Sequence, residues 1–555
     1  MDEIKRMFCS KDCPDTCPFF ASVSGKGLKV EPIKEQFLDK GFVCSKLKKF
    51  YKREVADNSD ASFVVKNGKR IENPDVIDEF ANLIKKHKNG RILFYRGSGS
   101  LGYYMGYWDK LFSGLDNVYF VKGSPCDETG IIAHIEDFGV CSNPPIENLN
   151  SVDSIVLFGK NALVTSPHLF AYLLKLKKSG KKIVYIDPIR SETAAIADEY
   201  LQIEPATDGI LAHLILERLG YVSSSTATKT MLELIGITKA DLDMLLDFIK
   251  PGSTGIIEGI GMQRYSNGKN SIQWVNRLAF YTKNLDTLYF SRPSKYGISP
   301  PVAAPKKRHV QIASLPFVLS AGLFDLIVIV AANPAVTLPE NGALMHAFEE
   351  KKLVVVDTNI TETARFADLF IRIGGMFAQE DVQGSYFFNK THKRERLIED
   401  YLTDIQLVRE LANKLDINIS PPLLDSITTD DKPAQREPHI DTIGLSLPLK
   451  SKGLRLVSLS SGAYLNSQTH ISENEKIYIS PQAAESRGIK NKDRVMVRSP
   501  IAHELFECIV TDKTRGNTAF SYKNRSLKVN ALTPATPTDA KYALSYYDLF
   551  VDLEK

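Results

Sequence analysis

The sequence predicts a multi-domain α/β protein built around two pseudo-symmetric, doubly wound, Rossmann-like domains. Three observations predict it. At 555 residues the chain is too long for a single core. Short apolar runs alternate with amphipathic helical stretches through its middle. Two long stretches of that middle repeat each other without a gap.

The apolar runs "SIVLFG" (154–159), "KKIVYID" (181–187), "TGIIEGIG" (254–261), "DLIVIVAANP" (325–334) and "KLVVVD" (352–357) read as buried parallel strands, being continuous and of strand length. Helical spacing marks "HLFAYLLKLKK" (168–178) and "GALMHAFEEK" (342–351). The repeat pairs "DSIVLFGKNALVTSP" (153–167) with "DLIVIVAANPAVTLP" (325–339), sharing Asn161/Asn333, Val164/Val336 and Thr165/Thr337. It pairs "DPIRSETAAIAD" (187–198) with "DTNITETARFAD" (357–368), sharing the Asp, Glu-Thr-Ala and Ala-Asp. The offsets are 172 and 170, and ordered polar matches of this kind are not expected from chance.

Asn161, Asn333, Asp187 and Asp357 each follow a strand, at the edge where open α/β sheets bind nucleotides. The hydroxyls of Thr193 and Thr363 and the free N–H groups of the next turn suit a phosphate. The same spacing also serves a strand end followed by a helix cap. Neither copy holds G-x-G-x-x-G.

Cys9, Cys13, Cys17 and Cys44, four of seven cysteines, stand as C-x3-C-x3-C-x26-C. Thiolates this close need a compensating cation or cluster. Zinc commonly takes paired C-x2-4-C knuckles, whereas three crowded cysteines and one distant one favour a [4Fe–4S] cubane.

Bulk composition excludes other classes. Hydrophobic residues make up 43 % and charged residues 25 %, as in ordinary globular chains. A net charge of +4, without basic runs interleaved with aromatics, gives no support to nucleic-acid binding. No membrane span and no leader are expected, which leaves the cytoplasm as the expected setting.

At this point the motifs resemble the dimethyl-sulfoxide-reductase superfamily of molybdopterin (bis-guanine-dinucleotide) oxidoreductases. In order, the resembling segments are "CSKDCPDTC" with "GFVCSK", "GSGSLGYYMG" (97–106), "GSPCDETGIIAHIEDFG" (123–139), "FGKNALVTSPH" (158–168), "YIDPIRSETAAIAD" and "EPATDGILAHLI" (204–215). They continue through "GIGMQRYSNG" (259–268), "AANPAVTLP", "VVDTNITETARFADLFI", "KIYISPQAAESRGIKNKDRVMVRSP" (476–500) and "VNALTPATPTDAKY" (529–542).

The resemblance implies a small [4Fe–4S] domain over 1–56, one α/β domain from 57–145 with 310–418, and a second over 146–309. A proline-bearing linker (419–450) and a C-terminal β-barrel (451–555) would follow. It implies that the four cysteines hold the cluster and that Lys46 lies between the cluster and the nearer pterin. Gly159, Lys160, Asn161, His168, Asp187, Thr207, Asp208, Gly261, Met262 and Gln263 would meet one dinucleotide. Asn333, Asp357 and Thr363 would meet the other, and Asn466, Ser467, His470 and Asn530 would reach the cofactor from the C-terminal domain. Cys126, in a Gly-Ser-Pro turn before a helix start, would ligate molybdenum or tungsten; a plain buried thiol is the other reading.

Three departures stand out. Cys9 and Cys13 are separated by three residues where many members have two. Asp127 follows Cys126 where the formate dehydrogenase branch has His. "RIGGMFAQED" (372–381) replaces the usual Leu-Pro continuation. The implied activity is two-electron redox of the oxygen-atom or hydroxyl transfer type on a small-molecule substrate, with electrons relayed to a separate carrier or iron–sulfur subunit. Two other readings remain: a non-catalytic electron-transfer subunit of the same fold without Mo or W, and a zinc protein binding an ordinary dinucleotide.

Overall fold

A computed structural model describes the chain except residues 1–3, 25–26, 35–40, 57–60, 74, 224–226, 303–306, 431–433, 463–474 and 524–527. Asn466, Ser467 and His470 lie outside the described residues. The N-terminal segment forms a three-stranded antiparallel sheet of Ile4–Phe8, Pro18–Ser24 and Gly27–Pro32. The cysteine-bearing turn 9–17 joins its first two strands, and the helix Ser45–Ala56 follows Cys44.

The two repeat copies lie in two sheets. In the five-stranded, all-parallel sheet the order is Glu199–Leu201, Lys182–Ile186, Ser154–Phe158, Thr254–Glu258 and Leu288–Phe290. The eight-stranded sheet runs Arg308–Gln311, Val118–Lys122, Ile92–Arg96, Leu326–Val330, Lys352–Asp357 and Leu369–Arg372 in parallel, then adds the antiparallel pair Phe63–Lys66 and Lys69–Glu72. Strands 154–158, 254–258 and 326–330 are buried at every position, which is why they read as unbroken apolar runs rather than alternating ones. The expected strands at 254–261 and 325–334 are shorter than their apolar runs. Each ends where the chain must turn away, at Gly259 and at Ala331 with its φ of 51°. Six further strands close a barrel in the order Leu454–Leu459, Thr518–Tyr522, Lys476–Ile479, His503–Val510, Arg494–Arg498 and Phe550–Glu554.

The repeat builds the same hydrogen-bonded clamp twice. Asn161 Nδ2 donates to Glu192 at 2.8 Å, the Thr193 hydroxyl donates to Asn161 Oδ1 at 2.9 Å, and the Leu163 amide donates to that hydroxyl at 3.1 Å. In the second copy Asn333 donates to Glu362 at 2.8 Å, Thr363 donates to Asn333 Oδ1 at 2.8 Å, and the Ala335 amide donates to Thr363 at 3.1 Å. Asp198 and Asp368 likewise each accept one strand amide, from Ile183 and Leu353, at 2.9 Å. The spacing shared by the two copies therefore ties the turn after one strand to the turn after the next. Thr193 and Thr363 are fully buried and their hydroxyls are already engaged, so they do not present themselves to a phosphate.

The stretch 419–450 has little regular structure but is pinned along its length. Arg436 donates to the carbonyls of Ser142, Leu285 and Leu288, and Arg277 donates to that of Asp441. Among the described residues no helix is long and apolar enough to cross a membrane.

Asn333→Leu should open the second clamp and cost about 1–3 kcal/mol, the penalty for leaving buried partners unsatisfied. Amide exchange at Ala335 and Thr363 should accelerate while that at Leu163 stays unchanged; equal protection at all three sites in the variant would contradict the clamp.

Candidate active site

In both sheets the strand order reverses where a crevice opens at the carboxyl ends. The reversal lies between 154–158 and 254–258 in one sheet and between 92–96 and 326–330 in the other. The first crevice is lined by Gly159, Lys160, Asn161, Asp187, Asp208 and the Gly261–Met262 turn. Its floor depends on glycine: a Cβ at Gly259 would sit 1.9 Å from the Gly159 carbonyl oxygen, and Gly159 itself holds a φ of +57°. The second crevice is lined by Gly99, Ser100, Ala331, Asn333, Asp357 and Asp404. Between them a cavity of about 410 Å³ holds Cys126, Asn333 and Asn530.

Carboxylates at these edges are held away from water. Burial pushes Asp208 up to about 7, with the Asp187 charge adding to it, and Asp208 Oδ1 has no partner among the described residues. Burial also raises Asp357 to about 7 and Asp187 to about 6, the latter moderated by the Tyr185 hydroxyl at 2.7 Å. A buried carboxylate with an open oxygen suits a ligand that offers N–H donors.

Some expected contacts turn inward instead. The His168 amide donates to Asp15, its ring stacks on Phe42 at 4.1 Å, and Nε2 meets the Phe42 carbonyl at 3.1 Å; it ties the cysteine turn to the sheet rather than facing the crevice. Thr207 donates to the Glu204 carbonyl at 2.6 Å, at the start of helix Asp208–Arg218. Gln263 Oε1 accepts the Gly130 amide at 2.6 Å, and Thr363 belongs to the clamp. Lys160 is buried, donates to Ser166 at 2.7 Å, and is lowered to about 8 by burial.

The cysteine turn abuts the first crevice. Cys13 Sγ lies 3.6 Å from the Thr165 carbonyl oxygen, and Lys46 Nζ donates to the Val164 carbonyl at 2.8 Å while lining the crevice. None of the seven cysteines is joined in a disulfide. The Cys13 and Cys44 thiols are raised mainly by burial, and Cys17 first by its hydrogen bond with Cys9; each is raised further by other cysteines of the four. Burial lowers Lys46, opposed by Cys13 and Cys44. Among the described residues no group of three or more His, Cys, Asp or Glu is set to hold a metal ion as it stands. The fit to a cluster rests on the donor set, four mutually interacting thiols with a cation beside them in an apolar setting of Met7, Phe19, Leu47 and Phe377.

Cys126 precedes the helix Glu128–Phe138. Burial and Asp12 raise its thiol, opposed by Arg264 and Arg292. Its neighbour Asp127 accepts from Ser124 at 2.8 Å and forms an ion pair with Arg292, whose Nε lies 3.1 Å away, and Arg292 also pairs with Asp12 at 2.6 Å. A histidine at 127 could not complete this acid–base–acid bridge. Three contacts fix the helix against the five-stranded unit: Gly130 to Gln263, His134 to Glu258 at 2.7 Å, and Asp137 to Arg277 at 3.0 Å. Gly123, with a φ of +103°, admits the Tyr542 carbonyl oxygen, which would sit 1.9 Å from a Cβ. Asn530 donates to the Val336 carbonyl at 2.6 Å, docking the C-terminal segment beside Asn333.

Residues 76–371 match the molybdopterin oxidoreductase family, and residues 454–547 match the molydopterin dinucleotide binding domain. The chain belongs to the molybdopterin oxidoreductase family. It is 25 % identical over 463 residues to the probable oxidoreductase YyaE of Bacillus subtilis (strain 168), covering 75 % of this chain and 69 % of that one. It is 22 % identical over 343 residues to formate dehydrogenase H of Escherichia coli (strain K12), covering 50 % of this chain and 47 % of that one. Its fold matches acetylene hydratase from Pelobacter acetylenicus with a TM-score of 0.74 at 12 % identity, over 99 % of this chain and 100 % of the other. That likeness concerns the fold alone.

Sequence reasoning passed over Asp12, Arg264, Arg292, Lys295 and Lys523. Arg264 lay inside a matched segment, "GIGMQRYSNG", and was the one signal available for it.

Arg292→Met should leave two part-buried carboxylates without their shared counter-charge and cost about 3–5 kcal/mol, read as a lowered denaturation midpoint of the apoprotein. Asp208, Asp187 and Asp357 titrate higher folded than unfolded, where carboxylates ionise near about 4. Apoprotein stability should therefore fall as pH rises from about 4 and level off above about 7. Asp208→Asn should flatten that slope, and an unchanged slope would remove Asp208 from the account.

Proposed function

We propose that this molybdopterin oxidoreductase carries out two-electron redox, of the oxygen-atom or hydroxyl transfer type, at a molybdenum or tungsten bis-pterin guanine dinucleotide centre. The observation that carries the reading is the position of Cys126, in a cavity flanked by two crevices built by a repeated clamp, with four thiols beside one of them.

In this reading Asp187 and Asp208 receive one dinucleotide and Asp357 and Asn333 the other. Gly159 and Gly261 allow close backbone approach, Asn530 meets the cofactor from the C-terminal side, and Cys126 offers its sulfur to the metal. Cys9, Cys13, Cys17 and Cys44 hold a [4Fe–4S] cluster, and Lys46 lies between it and the first crevice. The bound groups would supply the electron chemistry; the chain supplies placement, charge and exclusion of water. Asp127, fixed by Arg292 and Ser124, holds the Cys126 turn in one register. Electrons leave to a separate small iron–sulfur carrier or subunit, because the three remaining cysteines, Cys126, Cys141 and Cys508, form no second cluster motif. The cytoplasm is the proposed setting.

Elemental analysis of anaerobically purified protein tests this directly. About four Fe and one Mo or W per chain are expected. Iron without Mo or W, in protein shown to retain its pterin-binding capacity, would favour the electron-transfer subunit; zinc alone would overturn the assignment of the cysteines. Cys13→Ala should lose iron. Cys126→Ser should keep iron and pterin while sharply changing turnover and the metal's paramagnetic resonance spectrum, and an unchanged spectrum would remove Cys126 as ligand.

A further inference from the structure

The stretch 419–450 does more than join two domains. Its part from Arg436 to Asp441 grips the helix Glu128–Phe138, whose first turn follows Cys126. Helix geometry leaves the last carbonyls of that helix without intrahelical donors. The strap supplies two: the His439 amide donates to the Asp137 carbonyl at 2.7 Å, and the Glu437 amide to the Phe138 carbonyl at 2.9 Å. The Arg436 guanidinium lies over the Phe138 ring, 5.5 Å from its centroid, where a cation also suits the negative end of the helix dipole.

Arg436 reaches beyond the helix, and each of its three nitrogens donates to a carbonyl. Nε and Nη2 meet that of Ser142 at 3.1 and 2.5 Å, Nη1 that of Leu285 at 2.7 Å, and Nη2 that of Leu288 at 3.0 Å. Its charge also faces the buried Glu258, the partner of His134. Leu288 begins the strand Leu288–Phe290, and Arg292 follows two residues after that strand ends. Two arginines therefore join the same helix and strand at opposite ends. Arg292 ties the helix start, through Asp127, to the strand exit; Arg436 ties the helix end to the strand entry. Between them Asn143 exchanges two hydrogen bonds with the Phe290 backbone at 2.9 Å, and the His134 ring lies 5.1 Å from that of Phe290.

A helix of 11 residues is about 16 Å long and moves as a rod, so a shift at its end reaches its start. Gln263, Glu258 and Arg277 hold one face of this rod, and the strap closes its C-terminal end. We propose that Arg436 is a positioning residue for Cys126: by closing the far end of the helix against the strand that leads to Arg292, it sets the angle at which the Cys126 turn enters the cavity. The proposal rests on the reading that Cys126 marks the reacting centre. Arg436 lines neither crevice nor the cavity, and its carbonyl partners all belong to the chain, so its place does not depend on a bound cofactor.

The test compares wild type, Arg436→Gln and Arg436→Lys as holoprotein, with iron, Mo or W, and pterin measured first. Hydrogen exchange is followed on peptides covering 127–133, at the helix start, and 137–142, beside Arg436. In Arg436→Gln exchange should rise by about tenfold or more in both peptides. The paramagnetic resonance spectrum of the Mo or W centre should shift at unchanged metal and pterin content. Arg436→Lys keeps the charge without the fork, so it should recover part of both changes. Faster exchange confined to 137–142, or an unshifted spectrum in metal-loaded Arg436→Gln, would make Arg436 a local fastening and overturn the proposal. Failure of both variants to fold would overturn it too. A wild type that holds no Mo or W would sink the enzymatic reading instead, and exchange at 127–133 would still decide whether Arg436 sets the Cys126 turn.

Discussion

The site depends on one ionic bridge, Asp12–Arg292–Asp127. Its three members come from the cysteine turn, from the segment after strand Leu288–Phe290, and from the turn that carries Cys126. Other contacts tie these segments in pairs, and this bridge gathers all three on one side chain. Arg292 is almost wholly buried, so the bridge carries a desolvation cost that limits what it adds to stability. Its value lies in register. A fork held between two carboxylates tolerates little displacement, and removing any member leaves a buried charge uncompensated. The bridge also explains why an aspartate follows Cys126: that position serves the junction of three segments.

The clamps give the two crevices their likeness. In both copies an asparagine after one strand is fastened to a Glu-Thr pair after the next, which sets the separation of the two turns and leaves Asp187 and Asp357 at the crevice wall. The C-terminal domain uses the same places as anchors. The Tyr522 hydroxyl donates to Glu192 at 2.9 Å in the first clamp, and Tyr546 donates to the Thr337 carbonyl at 2.8 Å beside the second. A barrel fastened to both copies spans the cavity between them, and this brings Lys523 opposite Arg264 although the two lie far apart in the chain.

The fold class was legible because parallel strands covered on both faces must be continuous apolar runs, and the repeat was legible because its polar residues bond to one another. Side-chain direction in the turns was not. His168, Thr207 and Thr363 occupy matched positions, yet their partners are Asp15, Glu204 and Asn333, and only tertiary packing brings His168 to Asp15. Cations were harder still. Arg264, Arg292 and Lys523 each look like ordinary charged residues, and their meaning arises from what does or does not face them once three segments converge.

The spacing of the cysteines gains a physical sense from this convergence. Three residues separate Cys9 from Cys13, and each has a place. Ser10 and Lys11 line the crevice of the eight-stranded sheet, where Lys11 opposes the rise of the Asp357 carboxyl. Asp12 turns the other way, into the first crevice and onto Arg292. Pro14 and Asp15 then fasten the turn, through the amide of Phe387 at 3.2 Å and that of His168 at 2.8 Å. A two-residue spacing would have to surrender one of these contacts, either the lysine near Asp357 or the aspartate on Arg292. The extra residue lets one short turn touch both crevices at once.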